Sequence, residues 1–298
     1  MSEEETGRTG RESLPARAMR RDHPSEEPLK SYHTTLEQQI TRAEEELHRP
    51  ASALLLSGLS AGLDIGFGPF LVAGVETLAE GTFSHATTRF LAANAYSVGF
   101  ILVVLGRSAL FTEFTMSAIQ PVMDRRSTVA ELLRLWGLIL AANLVGAVLF
   151  ALFGNTIGIE LGFLEPHVIA AMANRVVEAD WWPMLLSAVA AGWLMGMLVW
   201  LVTGARDTTS QIISVWLTTF IIGIAGLHHS IAGSIEVLMG LFVAGGPAIT
   251  DFLRFLLWSV LGNVIGGVVF VALLKYAHIR GRGGDGAQPR PASGADTR

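Results

Sequence analysis

Residues 223–236 read Gly223-Ile224-Ala225-Gly226-Leu227-His228-His229-Ser230-Ile231-Ala232-Gly233-Ser234-Ile235-Glu236. They lie inside an apolar run, 212–243, that is long enough to cross a bilayer yet holds two adjacent histidines and four glycines. An uninterrupted membrane helix gains nothing from that composition. In hydrocarbon every backbone N–H and C=O needs a partner, so irregular backbone survives at membrane depth only where protein buries it or a watery cavity borders it. Glycines that break a helix beside ionisable side chains therefore point to a transport site. The reading places the break at 226–230.

The rest of the chain fits a membrane setting. Of its 298 residues, 51% are hydrophobic and 16% charged, against roughly a quarter charged in a soluble domain. Residues 1–50 and 281–298 hold most of the polar character, and nearly everything between them is apolar in long runs. One membrane domain, 51–278, with two soluble tails is expected. The absence of cysteine excludes disulfides, thiol nucleophiles and Cys metal sites. A net charge of −5 spread over both signs argues against nucleic acid as partner. No basic stretch followed by an apolar core opens the chain, so no cleavable signal peptide is expected.

Residues 1–30 have a disordered composition. Leu36, Ile40, Ala43 and Leu47 then recur at three or four and predict an amphipathic helix over about 32–48. Six apolar spans follow at 52–75, 90–122, 129–153, 183–202, 212–242 and 252–276. The second and fifth exceed the roughly twenty residues a straight span needs, and the second is interrupted at Gly106-Arg107-Ser108-Ala109-Leu110-Phe111-Thr112-Glu113. Residues 161–182 are too polar for a span and predict a short helix over the mouth of the protein, with Trp181 and Trp182 at an aromatic belt. Arg42, Arg49, Arg125, Arg126, Arg134, Arg206, Lys275, Arg280 and Arg282 gather on the side of the tails, against Arg89, Arg175 and Arg254 opposite. Both termini, including the disordered 279–298 tail, are expected in the cytoplasm.

The chain contains a faint copy of itself. Ser57, Ala61, Gly62 and Gly66 of the first span recur at the same spacing as Ser187, Ala191, Gly192 and Gly196 of the fourth, and Asn143, Gly146 and Phe150 of the third recur as Asn263, Gly266 and Phe270 of the sixth. A three-span unit reverses its direction when repeated, so the copies are inverted, with the two broken spans in equivalent places. Inverted repeats with paired broken helices mark transporters and channels. Small residues at spacings of four also allow close helix packing.

These residues resemble the formate/nitrite transporter family over about 51–278, most specifically in Leu110-Phe111-Thr112, His229-Ser230-Ile231-Ala232 and Gly262-Asn263-Val264-Ile265-Gly266-Gly267. The resemblance implies an all-α, aquaporin-like bundle of six transmembrane helices, one pore per protomer, a homopentamer in the inner (plasma) membrane, and small monovalent anions as substrate. It implies that His229 and Thr112 face each other at the pore centre between two apolar constrictions. Leu110 matches a constriction position, with Phe111 beside it in the same motif. Tyr96 and Phe100, one turn apart, are further candidates from spacing, as are Met195 and Ile222 on the fourth and fifth spans. The family carries an acidic or amide residue before the central histidine and Asn two residues after the Ile, where this chain has His228 and Gly233. Its vestibule lysine has no match before the fourth span, although Arg175 lies near.

His229 can donate a hydrogen bond or a proton to an anion in a dry constriction, or can merely cap freed backbone. His228 points elsewhere and can bond to backbone or Glu236. Thr112 can bond solute or imidazole. Asn143, Asn263 and Gly226 read as supports of the breaks. Arg107 and Glu113 can pair with each other or reach a vestibule, and Asp64 is either protonated, bonded to a break, or a sign of another substrate. No cofactor or metal is implied. A channel for water or small neutral solutes is the alternative reading, although the Asn-Pro-Ala pair of aquaporins is absent. A non-transporting receptor or scaffold has no need of paired breaks, and an intramembrane enzyme would need a nucleophile and base or a metal set; no His-Glu-x-x-His occurs.

Overall fold

The computed structural model describes residues 30–274 and 276–278. The tail readings at 1–29 and 279–298 lie outside the described residues. Twelve α-helices follow one another among the described residues: α1 Tyr32–Leu47, α2 Ala51–Asp64, α3 Phe67–Ala79, α4 His85–Gly106, α5 Phe111–Ser117, α6 Ile119–Met123, α7 Val129–Glu160, α8 Pro166–Val177, α9 Trp181–Gly204, α10 Thr208–Ala225, α11 Ser230–Leu241 and α12 Ile249–Ile265. Beyond α12 the helix widens into π-type turns over Gly266–Leu273. Six helical stretches are long and apolar enough to cross a membrane: Ala51–Ala79, His85–Gly106, Val129–Glu160, Trp181–Gly204, Thr208–Ala225 and Ile249–His278.

Polar side chains start several of these helices where the chain leaves the apolar layer. Ser31, Ser84 and Asp207 accept from backbone amides as N-caps of α1, α4 and α10, and Thr128 with Glu131 forms a capping box on α7. The spans therefore begin and end further out than apolar runs alone suggest. The second starts at His85 instead of 90, the third extends to Glu160 instead of 153, and the fifth starts at Thr208 instead of 212. The first span is two helices joined at Ile65 and Gly66. Pro69 explains the joint, because it has no N–H for the carbonyl of Ile65 and its ring crowds that turn.

Helix pairs pack through small residues. A Cβ at Gly62 of α2 would collide with the Asn143 carbonyl oxygen of α7, and one at Gly192 of α9 would collide with the Asn263 carbonyl oxygen of α12. The two helix pairs thus make the same close approach at matching positions. α8 is the short helix expected between the third and fourth spans, and it is packed in place: Ile169, Met172 and Ala173 are buried, Asn174 donates to the Gly245 carbonyl, and Gly240 of α11 leaves room only for Ala173. Large apolar side chains such as Leu56, Leu133, Phe153 and Leu257 stay exposed on the outside of the bundle, as lipid-facing or subunit-facing positions do.

Candidate functional site

Two helices stop short inside the bundle. α4 ends at Gly106, with Arg107 left-handed at φ 56°, and α5 starts at Phe111. α10 ends at Ala225, with Gly226 left-handed at φ 65°, and α11 starts at Ser230. Glycine takes that conformation without penalty, whereas Arg107 adopts it against the usual steric preference. The interruptions are narrower than the 106–113 and 226–230 read from composition, because Phe111 and Ser230 already belong to the half-helices that follow.

Freed backbone groups find the same partners in both halves. Asn143 accepts from the Phe111 amide at 2.8 Å and donates to the carbonyls of Gly58 and Ala109. Asn263 accepts from the Ser230 amide at 2.8 Å and donates to the carbonyls of Ala188 and His228. Ser57 accepts from the Ala109 amide, and Ser187 from the His228 amide. Buried backbone polar groups are costly when unpaired, and these four side chains satisfy them. Asp64 joins the same scaffold, accepting from Ser60 and from Ser108 in the first interruption.

At the centre the two half-helices meet. Thr112 Oγ1 lies 2.9 Å from His229 Nε2, with both residues buried. His229 Nδ1 accepts from the amides of Ile231 and Ala232 as the N-cap of α11. A nitrogen that accepts carries no proton, so the neutral ring has its N–H at Nε2. Nε2–H donates to Thr112 Oγ1, and the threonine hydroxyl hydrogen is free to turn elsewhere. The pair thus keeps one hydrogen uncommitted, that of the threonine hydroxyl. The edge of Phe100 meets the His229 ring at 5.0 Å between centroids, and Tyr96 packs on Phe100 at 5.2 Å.

Cavities approach this pair from opposite ends of α10. A cavity of about 710 Å³ is lined by Tyr96, Ile222, His228, His229, Glu236 and Arg175 among others. A smaller one of about 230 Å³ is lined by Lys30, Arg42, Glu113, Ser117, Thr203 and Gln211 among others. Gln211 and Ile222 are eleven residues apart on one helix, roughly 16 Å of rise. α11 leads from His229 into the larger cavity through Gly233 and Glu236, and α5 leads from Thr112 into the smaller through Glu113 and Ser117.

The chain matches the family described as Formate/nitrite transporter over residues 33–277. It is also 33% identical over 247 residues to Inner membrane protein YfdC of Escherichia coli (strain K12), covering 80% of this chain and 75% of that protein. It belongs to the formate/nitrite transporter family. A Probable formate transporter of Methanothermobacter thermautotrophicus is 28% identical over 246 residues, 76% of this chain and 89% of its own. Among solved structures, a Pentameric formate channel with formate bound superposes with a TM-score of 0.67 at 23% identity, over 77% of this chain and 98% of that one. This is a family of transporters, and the protein is a channel-type membrane protein and not an enzyme.

Within this formate/nitrite transporter fold, His229, Thr112, Phe100 and Tyr96 form one chain of contacts, and Ile222 shares the larger cavity with Tyr96 and His229. Leu110 and Met195 are buried in the same core. Phe111 turns its ring to Trp136 of α7, 6.4 Å between centroids. His228 bonds Ser187 Oγ and the Val176 carbonyl, not Glu236. Arg107 and Glu113 form no ion pair among the described residues. Arg175 is held by Glu76 across the larger cavity.

Several contributors went unread in the sequence. Ser57 and Ser187 stood in the repeat, yet only the structure gives them the amides of Ala109 and His228. Arg89 donates to the Ile224 carbonyl beside Gly226 from 135 residues away, which no local pattern signals. The Ser230 hydroxyl is buried without a partner among the described residues.

Proposed function

We propose that this protein passes small monovalent anions of weak acids, formate and nitrite among them, through a pore centred on Thr112 and His229, one pore per subunit of a homopentamer in the inner membrane. The observation that carries the reading is the buried Thr112–His229 pair joining two half-helices between two cavities. A small anion arriving from the larger cavity meets the free hydroxyl hydrogen of Thr112, whose oxygen is held by the Nε2–H of His229. The apolar rings of Phe100 and Tyr96 beside that pair oppose a bare charge and favour the neutral acid. The anion takes its proton from the water of the larger cavity, where a hydronium O–H bond breaks as the solute O–H bond forms, and the neutral acid then crosses past the hydrogen-bonding pair.

The family name and the formate transporters among its relatives support the substrate class. The pentameric relative supports the assembly. The excess of Arg near α1, α6 and the start of α7 supports cytoplasmic termini, with the α8 cavity facing outward. Leu110, Phe111, Met195 and Ile222 serve in this reading as the apolar walls above and below the pair.

Flux into liposomes carrying the purified protein tests the reading, with formate, nitrite and chloride compared against water and glycerol. Formate and nitrite uptake accelerated by external acid is expected. Passage of water or glycerol alone would contradict it and favour a neutral-solute channel.

A further inference from the structure

One buried carboxyl oxygen bordering the smaller cavity has no hydrogen-bond partner among the described residues. Glu113 follows Thr112 in the first turn of α5, and its side chain lines the cavity of about 230 Å³. Its Oε1 is buried and bonds to nothing among the described residues. A carboxylate kept only for packing is expected to have its oxygens paired, because an unpaired buried oxygen costs stability. The charged groups facing it are Lys30 and Arg42, from the segment that contains α1. Lys30 is already engaged by Gln38 Oε1 and the Thr203 carbonyl. α9 and α10 contribute Val199, Val202, Thr203 and Gln211, none of which titrates, and α6, α7, α11 and α12 contribute nothing to the lining. The nearest titratable group upstream, His229, has its ring bonded to Thr112 and to its own helix amides.

A neutral acid that has crossed the dry centre must lose its proton to leave as an anion. We propose that Glu113 takes that proton and that the smaller cavity is a binding station for the small carboxylate or oxoanion left behind. The O–H bond of the solute acid breaks with its electron pair staying on the solute, while the proton forms a new O–H bond on the Glu113 carboxylate. The products are a solute anion within reach of Arg42 and a neutral Glu113, which then returns its proton to bulk water. Efflux runs the same steps in reverse, with Glu113 as donor. Glu113 is the residue next to Thr112 on α5, a rise of about 1.5 Å along the helix, which puts the acceptor on the smaller-cavity side of the central pair. The assignment rests on the weak-acid reading above.

The test follows formate and protons together in proteoliposomes loaded with a pH-sensitive dye, comparing wild type with Glu113→Gln and Glu113→Asp. Wild type is expected to move protons with formate. Glu113→Gln is expected to slow both by roughly tenfold or more, the scale of losing a positioned proton acceptor, and to flatten the pH profile. Glu113→Asp is expected to keep the pH profile at a reduced rate. A Glu113→Gln protein with wild-type rate and pH profile overturns the proposal alone. So does equal inactivity of both variants when each elutes as the wild-type oligomer, which marks a packing role. If Glu113→Gln fails to assemble, the aspartate variant decides, and transport without the wild-type pH profile overturns the assignment. Wild-type formate flux without protons, or no formate flux, overturns the weak-acid reading and this proposal with it.

Discussion

His229 has two duties that constrain each other. Its Nδ1 holds the first turn of α11 and its Nε2 meets Thr112, so a substitute must cap the helix and still donate to the pore. Asparagine caps well but places its amide elsewhere. Thr112→Val isolates the other half of the pair: shape is kept, the hydroxyl is lost, and the His229 N–H is left without an acceptor. The hydroxyl hydrogen that meets the solute is lost as well, and a hydrogen bond to a charged group is worth about 1.5–3 kcal/mol. Formate flux measured in liposomes should therefore fall by about tenfold or more in Thr112→Val at 1.4 kcal/mol per decade, while Thr112→Ser stays near wild type. Equal flux in all three proteins would remove Thr112 from the pathway.

At the scale of helices, Asn143 and Asn263 are the pins of the two interruptions. Each serves one amide and two carbonyls. Asn143→Leu or Asn263→Leu should lower the unfolding temperature in detergent by an amount corresponding to about 2 kcal/mol or more, and the two losses should be alike if the halves are equivalent. Asp207 gives a milder, pH-dependent effect at the start of α10. Hydrogen bonds from the Ser210 hydroxyl and then the Ser210 amide hold its carboxyl below the ordinary range. A depressed carboxyl stabilises the folded state above its unfolded pKa and loses that contribution as pH falls through the folded value. Wild type should lose stability relative to Asp207→Ala on acidification, read as a narrowing gap in unfolding temperature. The interruption at Gly226 was legible because a glycine and two histidines have no place in a straight span. The one at Arg107 was less sharply so, because a non-glycine residue makes the left-handed turn. The helices of the spans were legible, but not their outer turns, which depend on caps and not on hydropathy. Glu113 was read as pairing with Arg107 or reaching a vestibule, and it lines the smaller cavity; Glu76 and Glu236 of the larger cavity were not placed, since which face of a bundle helix borders water is decided by partners far along the chain.

The whole molecule offers a clean topology test because it has no cysteine. Single cysteines at Ser84, before α4, and at the exposed Ala130, in the first turn of α7, should react with a membrane-impermeant thiol reagent from opposite faces, Ser84→Cys from outside intact cells and Ala130→Cys only in everted vesicles. Labelling of both from one face would contradict the six-span arrangement. The purified protein should likewise run as a five-fold multiple of its subunit mass when cross-linked. These measurements place the pore in the membrane, and its chemistry is tested most directly by formate flux in wild type and His229→Asn across a range of pH gradients. Wild-type flux should rise as the formate-loaded side is acidified, and the variant should assemble normally with lower flux and a flattened pH profile. Identical flux at every pH in the two proteins would contradict it.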